Sequence, residues 1–483
     1  MNIIRNGETI RLSEIPSLNF SEFADTIAES CGTGKTLFSL SAVRGKNSDF
    51  LLLGVLGNPR KGTIEILSTI IGSAYPSLTP RVPQAHLFER ELHEIHGILP
   101  EGHPWLKPVR DIGSYQFYAF EGGQSHEVAV GPVHAGVIEP GHFRFQCYGE
   151  RVDYLEIALG YQHRGIEKAL PGGPGIKTIH LMETTAGDTT IGHTQAYCVN
   201  LEALAGIQVS ARAEAIRGIA LELERMANHI GDLGALAGDV GYLPTKSFCG
   251  RLRGDVLNLT AELCGNRFGC GIIVPGGVGF DVDEAMAEQI AKKLEKVIKD
   301  TDEAVSLLWD TPSVLARFEH TGTLTKETAH KLGLTGPCAR ACGIEEDIRA
   351  DFPFGPYKYM AIPVSIYSSG DVYARAMVRM LEYQRSGKAI LDLLKALPNG
   401  ALRNASPLRL APDSLAVSLV EGWRGAICHL AITGADGKFA SYKIVDPSFH
   451  NWQGLSHALR GQQISDFPLC NKSFNLSYCG FDL

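Results

Sequence analysis

Thiols and imidazoles are the side chains of this sequence that could bind a metal ion, and the chain has 11 cysteines and 16 histidines. No two cysteines stand in a CxxC spacing. The nearest pair, Cys338 and Cys342, is spaced CxxxC and has no second cysteine or histidine pair close by. Because a tetrahedral metal site needs four such ligands, we interpret these two thiols as buried structural residues.

A second candidate is the segment 32–36, which reads GTGKT like the end of a phosphate-binding loop. The first glycine of such a loop would stand five residues before Gly34, where the sequence has Glu29. A carboxylate at that place would repel a phosphate. No GxGxxG motif is found either. The sequence therefore gives no motif for direct binding of a nucleotide or nicotinamide, and we interpret the segment as a turn.

Composition and charge exclude several classes of protein. The net charge is −8 and lysine and arginine are not clustered, which argues against a nucleic-acid-binding surface. The longest nearly continuous apolar run, residues 50–57, is far shorter than the roughly 18 residues that a membrane span requires. The first residues contain no apolar signal sequence. We expect a folded cytoplasmic protein with reduced cysteines and no nucleic-acid partner.

Two regions with different patterns must position any site. The first mixes short apolar strands such as 50–56 with segments that we interpret as helical, such as 64–71, as small α/β domains do. The composition changes over 114–127, which is rich in glycine, serine and aromatic residues. We therefore predict one domain at 1–120 and a second at 121–483.

The second region is mainly helical in pattern. Apolar residues recur at spacings of three, four and seven over 211–236, as on one face of a helix. Similar patterns predict helices over 281–309 and 372–397. Further on, 434–437 separates two β-rich segments like the turn of a hairpin. The predicted fold class is α+β: a small α/β domain, then a mainly helical region with a minor β-region.

Several motifs stand in the order that they have in one protein family. They are GPVH at 131–134, IEPGHFRF at 138–145, GYQHRGIEK at 160–168, the segment 222–229, PGGV at 275–278, GDVYAR at 370–375 and EGWRG at 421–425. Through them, the chain from about residue 125 onward resembles the large subunit of complex I and of related membrane-bound nickel–iron hydrogenases of the formate hydrogenlyase and hydrogenase-4 type. Most of 1–112 resembles the 30 kDa-type complex I subunit. Its charged stretch, 89–103, would then serve mainly subunit contact.

The resemblance implies that a metal site has been lost. Hydrogenases of this kind hold nickel and iron with two CxxC pairs, because thiolates are soft ligands. The positions that match the four cysteines are Ala186, Thr189, Ser477 and Gly480, and Cys479 stands one residue away from a match. None of the four residues can supply a thiolate. The resemblance therefore implies no nickel–iron centre, and we expect no metal in this chain.

The resemblance also implies which residues handle protons and the electron acceptor. Glu139 matches a glutamate that relays protons in hydrogenases, and Arg424 matches an arginine that lies over the metal centre. Proton transfer and a structural ion pair explain these two residues equally well. His134 matches the histidine that contacts the quinone head group in complex I, and Gly187 stands where complex I has a tyrosine. The predicted acceptor pocket consists of His134, Gly187 and Asp188.

Other residues are weaker candidates for proton handling. A single histidine near helices is more often structural than functional. These candidates are His142, His163, His193, Asp188 and Tyr197.

Three hypotheses about function follow from the resemblance. In the first, the chain is the large subunit in the peripheral arm of a complex I-like respiratory oxidoreductase at the inner face of the cell membrane. It packs on a small iron–sulfur subunit, whose cluster supplies electrons to a quinone-like acceptor, and works with a ferredoxin-like subunit and ion-pumping membrane subunits. The second is a scaffold without chemistry. The third is an atypical hydrogenase that uses Cys198 and Cys479. Formate, NADH and ferredoxin all stay open as electron donors.

Overall fold

The computed structural model describes residues 2–45, 49–120, 125–134 and 138–483. Its first part contains β1 Asn2–Ile4, β2 Thr9–Arg11, β3 Ser17–Leu18, α1 Phe20–Gly32, β4 Thr36–Arg44, β5 Phe50–Asn58, β6 Thr63–Ile71, β7 Ala74–Pro76, α2 His86–His96 and β8 Leu99–Glu101. Strands β1, β6, β5 and β4 form an antiparallel sheet in that order, and β3 joins β6 in parallel. Helix α1 buries Phe23 and Ile27 beneath this sheet.

Residues 64–71 form strand β6, so the helical interpretation of this segment was wrong. The strand pairs with β5 along its whole length, for example Leu53 opposite Ser68. Six consecutive residues, 64–69, are buried, since β6 is central in its sheet. A strand buried on both faces lacks the alternation of apolar and polar residues, and periodicity alone cannot distinguish it from a helix.

The central part of the chain contains the long helices. Its elements are β9 Ser125–Val130, β10 His142–Tyr148, β11 Arg151–Ala158, α3 Thr178–Glu183, α4 Thr190–Ala205, α5 Ala211–Asp239, α6 Leu243–Cys264, β12 Ile273–Val274, β13 Gly277–Val278, α7 Glu284–Trp309, α8 Pro312–Phe318, α9 Lys326–Leu332, α10 Gly336–Arg340, α11 Ile348–Asp351 and α12 Val372–Lys395. Helices α5, α6, α7 and α12 pack against one another and form its core.

The three predicted long helices are confirmed as α5, α7 and α12. Their first residues are fixed by capping side chains. Asp283 accepts a hydrogen bond from the backbone of Met286, and Asp371 accepts one from Ala374, each at 2.8 Å. These contacts satisfy amide groups that have no partner inside the helix.

Charged residues inside α5 belong to a buried ion network. Arg349 donates to both oxygens of Glu222 at 3.1 Å and to Glu382 at 3.0 Å. Arg225 also pairs with Glu382, and all four side chains are fully buried. Glu222 and Arg225 therefore belong to an internal salt-bridge network and do not form a solvated edge of the helix. Removing one member of such a network would strongly destabilise the fold, because its partner would remain as an uncompensated buried charge.

The last part of the chain combines a sheet with short helices. Its elements are β14 Ser414–Gly422, β15 Gly425–Thr433, β16 Phe439–Val445, α13 Pro447–Ala458, α14 Phe467–Phe474 and α15 Tyr478–Asp482. The predicted hairpin is confirmed as β15 and β16. Strand β2 from the beginning of the chain joins the same sheet beside β14.

The two ends of the chain are joined by buried charges. Lys443 contacts Glu91 of α2 at 2.8 Å, and Arg110 donates to the backbone oxygen of Phe481 at 3.0 Å. The charges of 89–103 therefore include contacts between the first and last parts of one chain. The boundary predicted between 120 and 121 stays a prediction, since 121–124 lie outside the described residues. Among the described residues, no helix is both long and apolar enough to cross a membrane.

Candidate functional site

Arg424 stands in the turn between β14 and β15 and brings two segments of the chain together. One segment carries Ala186 and Thr189, and the other carries Ser477 and Gly480 at the start of α15. The terminal nitrogens of Arg424 donate to both oxygens of Asp188 at 2.6 and 2.8 Å. Its Nε donates to the backbone oxygen of Asn475 at 2.6 Å. The guanidinium also stacks on the ring of Trp423 at 3.9 Å. Arg424 therefore holds the loop before α4 against the loop before α15.

Asp188 is the ionic partner of Arg424. Although burial disfavours a charged carboxylate, the guanidinium holds the pKa of Asp188 below its usual value. Planar two-point contact with a carboxylate is the geometry that arginine forms best. The ion pair of Arg424 with Glu139, which the sequence left open, is absent among the ion pairs of the described residues.

Glu139 lies instead against the start of α15. Its Oε2 accepts a hydrogen bond from the backbone N–H of Tyr478 at 3.3 Å. The thiol of Cys479 is beside it, 3.5 Å from the hydroxyl of Ser477. Burial and then the charge of Glu139 raise the pKa of Cys479 to about 11, against the opposing effect of the Gly187 backbone N–H. At neutral pH this thiol is protonated.

His134 and His142 hold two neighbouring segments together. His134 donates from Nε2 to the backbone oxygen of Gly141 at 3.0 Å, and His142 contacts the oxygen of Gly131 through Nδ1 at 3.1 Å. The carbonyl partners assign a proton to each of these nitrogens. The ring of His134 also faces the neighbouring cavity.

A cavity of about 400 Å³ opens beside His134. Apolar side chains, among them Phe143, Phe145 and Phe467, line most of it. Asn475 and Tyr478 from the α15 loop also face it. Gly187 and Asp188, predicted to share the pocket of His134, do not line this cavity. Its volume and its mostly apolar lining with a few polar groups are typical of sites for small molecules.

Asp239 is a cavity residue that the sequence analysis missed. It stands exposed at the mouth of the cavity, where partial desolvation raises the pKa of its carboxyl to about 6 and Lys472 and Lys246 oppose this. A sequence signal existed, because a carboxylate in the last turn of α5 is disfavoured by the helix dipole.

A buried chain of hydrogen bonds approaches the same loops from the other side. His193 contacts Asp446 at 3.0 Å through Nε2 and His429 at 3.1 Å through Nδ1, and His429 contacts the hydroxyl of Tyr442 at 2.9 Å. In this chain, each hydrogen-bond donor can point to the next group, from the Tyr442 hydroxyl through His429 and His193 to the carboxylate of Asp446. Although burial opposes ionisation, His193 keeps the pKa of Asp446 below its usual value. Asp446 in turn packs against Gly480.

The remaining candidates have structural partners. His163 contacts the backbone oxygen of Asp482 at 2.6 Å. Tyr197 is buried in α4, and burial raises the pKa of its hydroxyl. Cys338 and Cys342 are both buried, as predicted. Lys35 of the GTGKT segment pairs with Glu65 at 2.6 Å.

Comparison with known proteins identifies the family of the chain. Residues 14–114 match the family model described as respiratory-chain NADH dehydrogenase, 30 Kd subunit, and 239–416 match that of the 49 Kd subunit. Formate hydrogenlyase subunit 5 of Escherichia coli (strain K12) is 31% identical over 436 residues, which cover 84% of this chain and 76% of that protein. The chain belongs to the large-subunit family of complex I and the related membrane-bound hydrogenases. The members of this family are oxidoreductase subunits.

Other members of the large-subunit family agree with this assignment. The carbon monoxide-induced hydrogenase of Rhodospirillum rubrum is 30% identical and covers 73% of this chain and 97% of its own. An NADH-quinone oxidoreductase subunit of Dehalococcoides mccartyi (strain ATCC BAA-2100) is 30% identical, with 70% and 92% covered. A chain of the archaeal membrane-bound sulfane sulfur reductase shares the fold, with a TM-score of 0.71 at 23% identity over 76% of this chain and 100% of that chain.

The four residues predicted to match the metal ligands offer no thiolate for a nickel–iron centre. Ala186 offers a methyl group, and the hydroxyl of Thr189 contacts Asp188 at 3.2 Å. The hydroxyl of Ser477 accepts a hydrogen bond from the backbone of Gly480 at 2.9 Å. A side chain at position 480 would meet the carboxyl of Asp446 at 2.8 Å. The part of the chain that the structure describes contains no metal-binding group of three or more His, Cys, Asp or Glu residues.

Proposed function

We propose that this chain is the peripheral-arm large subunit of a complex I-like respiratory oxidoreductase that works without a nickel–iron centre. The observation that carries the proposal is the contact between Glu139 and the backbone of Tyr478. A carboxylate able to relay protons is thus held against a loop whose Ser477 and Gly480 replace thiolate ligands. This site therefore has a carboxylate that can transfer protons, but Ser477 and Gly480 offer no thiolate that could bind a soft metal.

The cavity beside His134 is the proposed acceptor site. Its phenylalanine walls suit a quinone-like ring, and an imidazole that carries a proton on both nitrogens can donate a hydrogen bond or proton to a quinone oxygen while Nε2 of His134 stays bound to Gly141. Reduction of a quinone to a quinol takes two electrons and two protons. His134 and Asp239 would supply protons at two places on the cavity wall, and the electrons would come from an iron–sulfur cluster in a partner subunit.

The proposed surroundings of the chain are a small iron–sulfur subunit, a ferredoxin-like subunit and ion-pumping membrane subunits, at the inner face of the cell membrane. A relative in Pyrococcus furiosus, 28% identical over 72% of this chain, is named membrane-bound hydrogenase subunit alpha. That name supports a membrane-attached assembly for the relative, and we extend it to this chain as part of the proposal.

Variants of the assembled complex test the proposal. His134→Ala removes the imidazole from the cavity, and Glu139→Gln keeps the hydrogen bond from Tyr478 while removing the transferable proton. Each is expected to lower acceptor reduction by about 10²-fold or more. His126→Ala and Glu127→Gln are controls, since both residues are exposed on β9. Reduction at the control rate in both test variants would contradict the proposal.

A scaffold without chemistry is the second candidate function. The observation that favours it is the closure of both loops by Arg424, which leaves Asp188 and the Asn475 backbone satisfied without any ligand. In that case the test variants keep full turnover of the complex, and only variants that loosen the loops reduce its assembly. The third hypothesis, an atypical hydrogenase, needs Cys198 and Cys479 at one site. The charged groups near Cys198 include Glu202 and Arg217, whereas Cys479 lies beside Ser477 and Glu139, so the two thiols have different surroundings.

A further inference from the structure

Glu224 is a buried carboxylate that the proposed function does not use. It extends from α5 to the first turn of α4, where it accepts hydrogen bonds from the backbone of Ile191 at 2.7 Å and of Gly192 at 3.1 Å. Only 7% of the residue is exposed. Across the described ranges it forms no ion pair with a cationic side chain. The two backbone amides are therefore the main groups that stabilise the charge of the buried Glu224 carboxylate.

The carboxylate of Glu224 shares a small cavity with Asp188. The cavity has room for about one water molecule. Asn228 stands between the two acids and donates to the backbone oxygens of Asp188 at 3.0 Å and of Glu224 at 2.9 Å. Arg253 and Arg267 form the outer rim, and Arg267 is exposed. The same small cavity is therefore lined by both acids and by the exposed Arg267.

The charges around Glu224 allow it to hold a proton at neutral pH. Burial raises the pKa of its carboxyl to about 8, and the charge of Asp188 adds to this, while the amides of Ile191 and Gly192 and the charge of Arg225 oppose it. The titratable and charged groups that face it from its own helix and from the neighbouring elements are Arg225, Asp188, Cys270, Arg253 and Arg267.

We propose that Glu224 is a proton carrier between solvent at Arg253 and Arg267 and the pocket around Asp188. The inference rests on the proposed function. Protonated Glu224 gives its proton through one water molecule to the carboxylate of Asp188. The Glu224 carboxylate that remains is stabilised by the two α4 amides until a proton from solvent replaces the one lost. Only O–H bonds break and form, and no electron passes through Glu224.

Asp188 can release the proton to water, because its side chain is 32% exposed. Arg424 stays charged and carries no proton itself, but it holds Asp188 near Asn475, which lines the cavity beside His134, so that water completes the path to the acceptor. The arginine keeps Asp188 ionised at rest, so Asp188 holds the transferred proton only briefly. Glu224 is the group in this cavity that holds it between turnovers.

The substitution Glu224→Gln removes the transferable proton and changes the structure little, because the amide oxygen still accepts one of the two backbone hydrogen bonds, which in the wild type go to different oxygens of the carboxylate. Glu262→Gln is the matched control, since Glu262 is an exposed carboxylate on α6 that pairs with Lys293 at 2.5 Å. The first readout is infrared spectroscopy of the assembled complex. The wild type and the control are expected to show the stretch of a protonated carboxyl that disappears as the pH rises through about 8, and Glu224→Gln lacks it.

The second readout is the rate of acceptor reduction over the same pH range. Glu224→Gln is expected to lower it by about 10²-fold, whereas Glu262→Gln has no effect. Equal infrared bands or equal turnover in Glu224→Gln and wild type would overturn the inference. If His134→Ala abolishes turnover while Glu224→Gln does not, the inference alone fails. If the wild-type complex reduces no acceptor, the proposed function fails, and the carrier role fails with it.

Discussion

Arg424 and Asp188 face each other through two hydrogen bonds of 2.6 and 2.8 Å, and the same guanidinium contacts the backbone of Asn475 at 2.6 Å. One side chain therefore joins the two segments that were predicted from the sequence to correspond to the metal-binding segments of hydrogenases. An ion pair and a backbone contact hold these segments together.

Arg424→Lys should loosen the two loops. Lysine keeps the charge but cannot contact both oxygens of Asp188 and the Asn475 backbone at once. We expect the free energy of unfolding to fall by about 1.5–3 kcal/mol, the range for hydrogen bonds to charged groups, as measured by urea denaturation. Arg251→Lys, at an exposed ion pair with Asp255, is the control and should change it by under about 0.5 kcal/mol. Equal effects would contradict the role given to Arg424.

Gly480→Ala tests whether this ligand position still has space for a side chain. The added carbon would meet the carboxyl of Asp446 at 2.8 Å and the hydroxyl of Ser477 at 2.9 Å. We expect destabilisation by roughly 1–3 kcal/mol, seen as a lower melting temperature. Gly250→Ala, in exposed α6 with no neighbouring atom within 4 Å of the new carbon, should instead stabilise by about 0.5–1 kcal/mol. A harmless Gly480→Ala would mean that the position can accept a ligand side chain.

Glu224 should make stability depend on pH. Its folded pKa of about 8 lies above the ordinary value of 4.5, so the folded chain keeps a proton that the unfolded chain loses between these pH values. Stability contributed by this group is fully present below pH 4.5 and is lost as the pH rises through about 8. The unfolding free energy of wild type relative to Glu224→Gln should therefore decline over this range. A constant difference from acid to alkaline pH would show that folding does not shift the pKa of Glu224.

Local patterns in the sequence predicted the helices and the hairpin well, because their apolar periods and turn residues act over short distances. Helix α5 and the β15–β16 turn are examples. Strand β6 was missed because burial on both faces removes the period that distinguishes strand from helix. The position of β2 beside β14 could not be predicted either, since it pairs residues some four hundred positions apart.

The sequence predicted which residues belong to the candidate site, but it did not predict which of them contact one another. Motif order brought Glu139, Arg424 and His134 to attention, yet nothing local shows that Arg424 pairs with Asp188 rather than with Glu139. That pairing depends on how the β14–β15 turn meets the two loops. The surroundings of Glu224 could not be predicted either, because its contacts with the backbone of Ile191 and Gly192 exist only when α4 lies beside α5.

Elemental analysis of the purified complex during steady acceptor reduction tests the central claim most directly. Alanine, threonine, serine and glycine at the ligand positions cannot hold a soft metal pair. We predict nickel at no more than trace level in a preparation that reduces its acceptor at full rate. About one nickel per large subunit, lost together with activity when Cys479 is replaced by serine, would contradict the account.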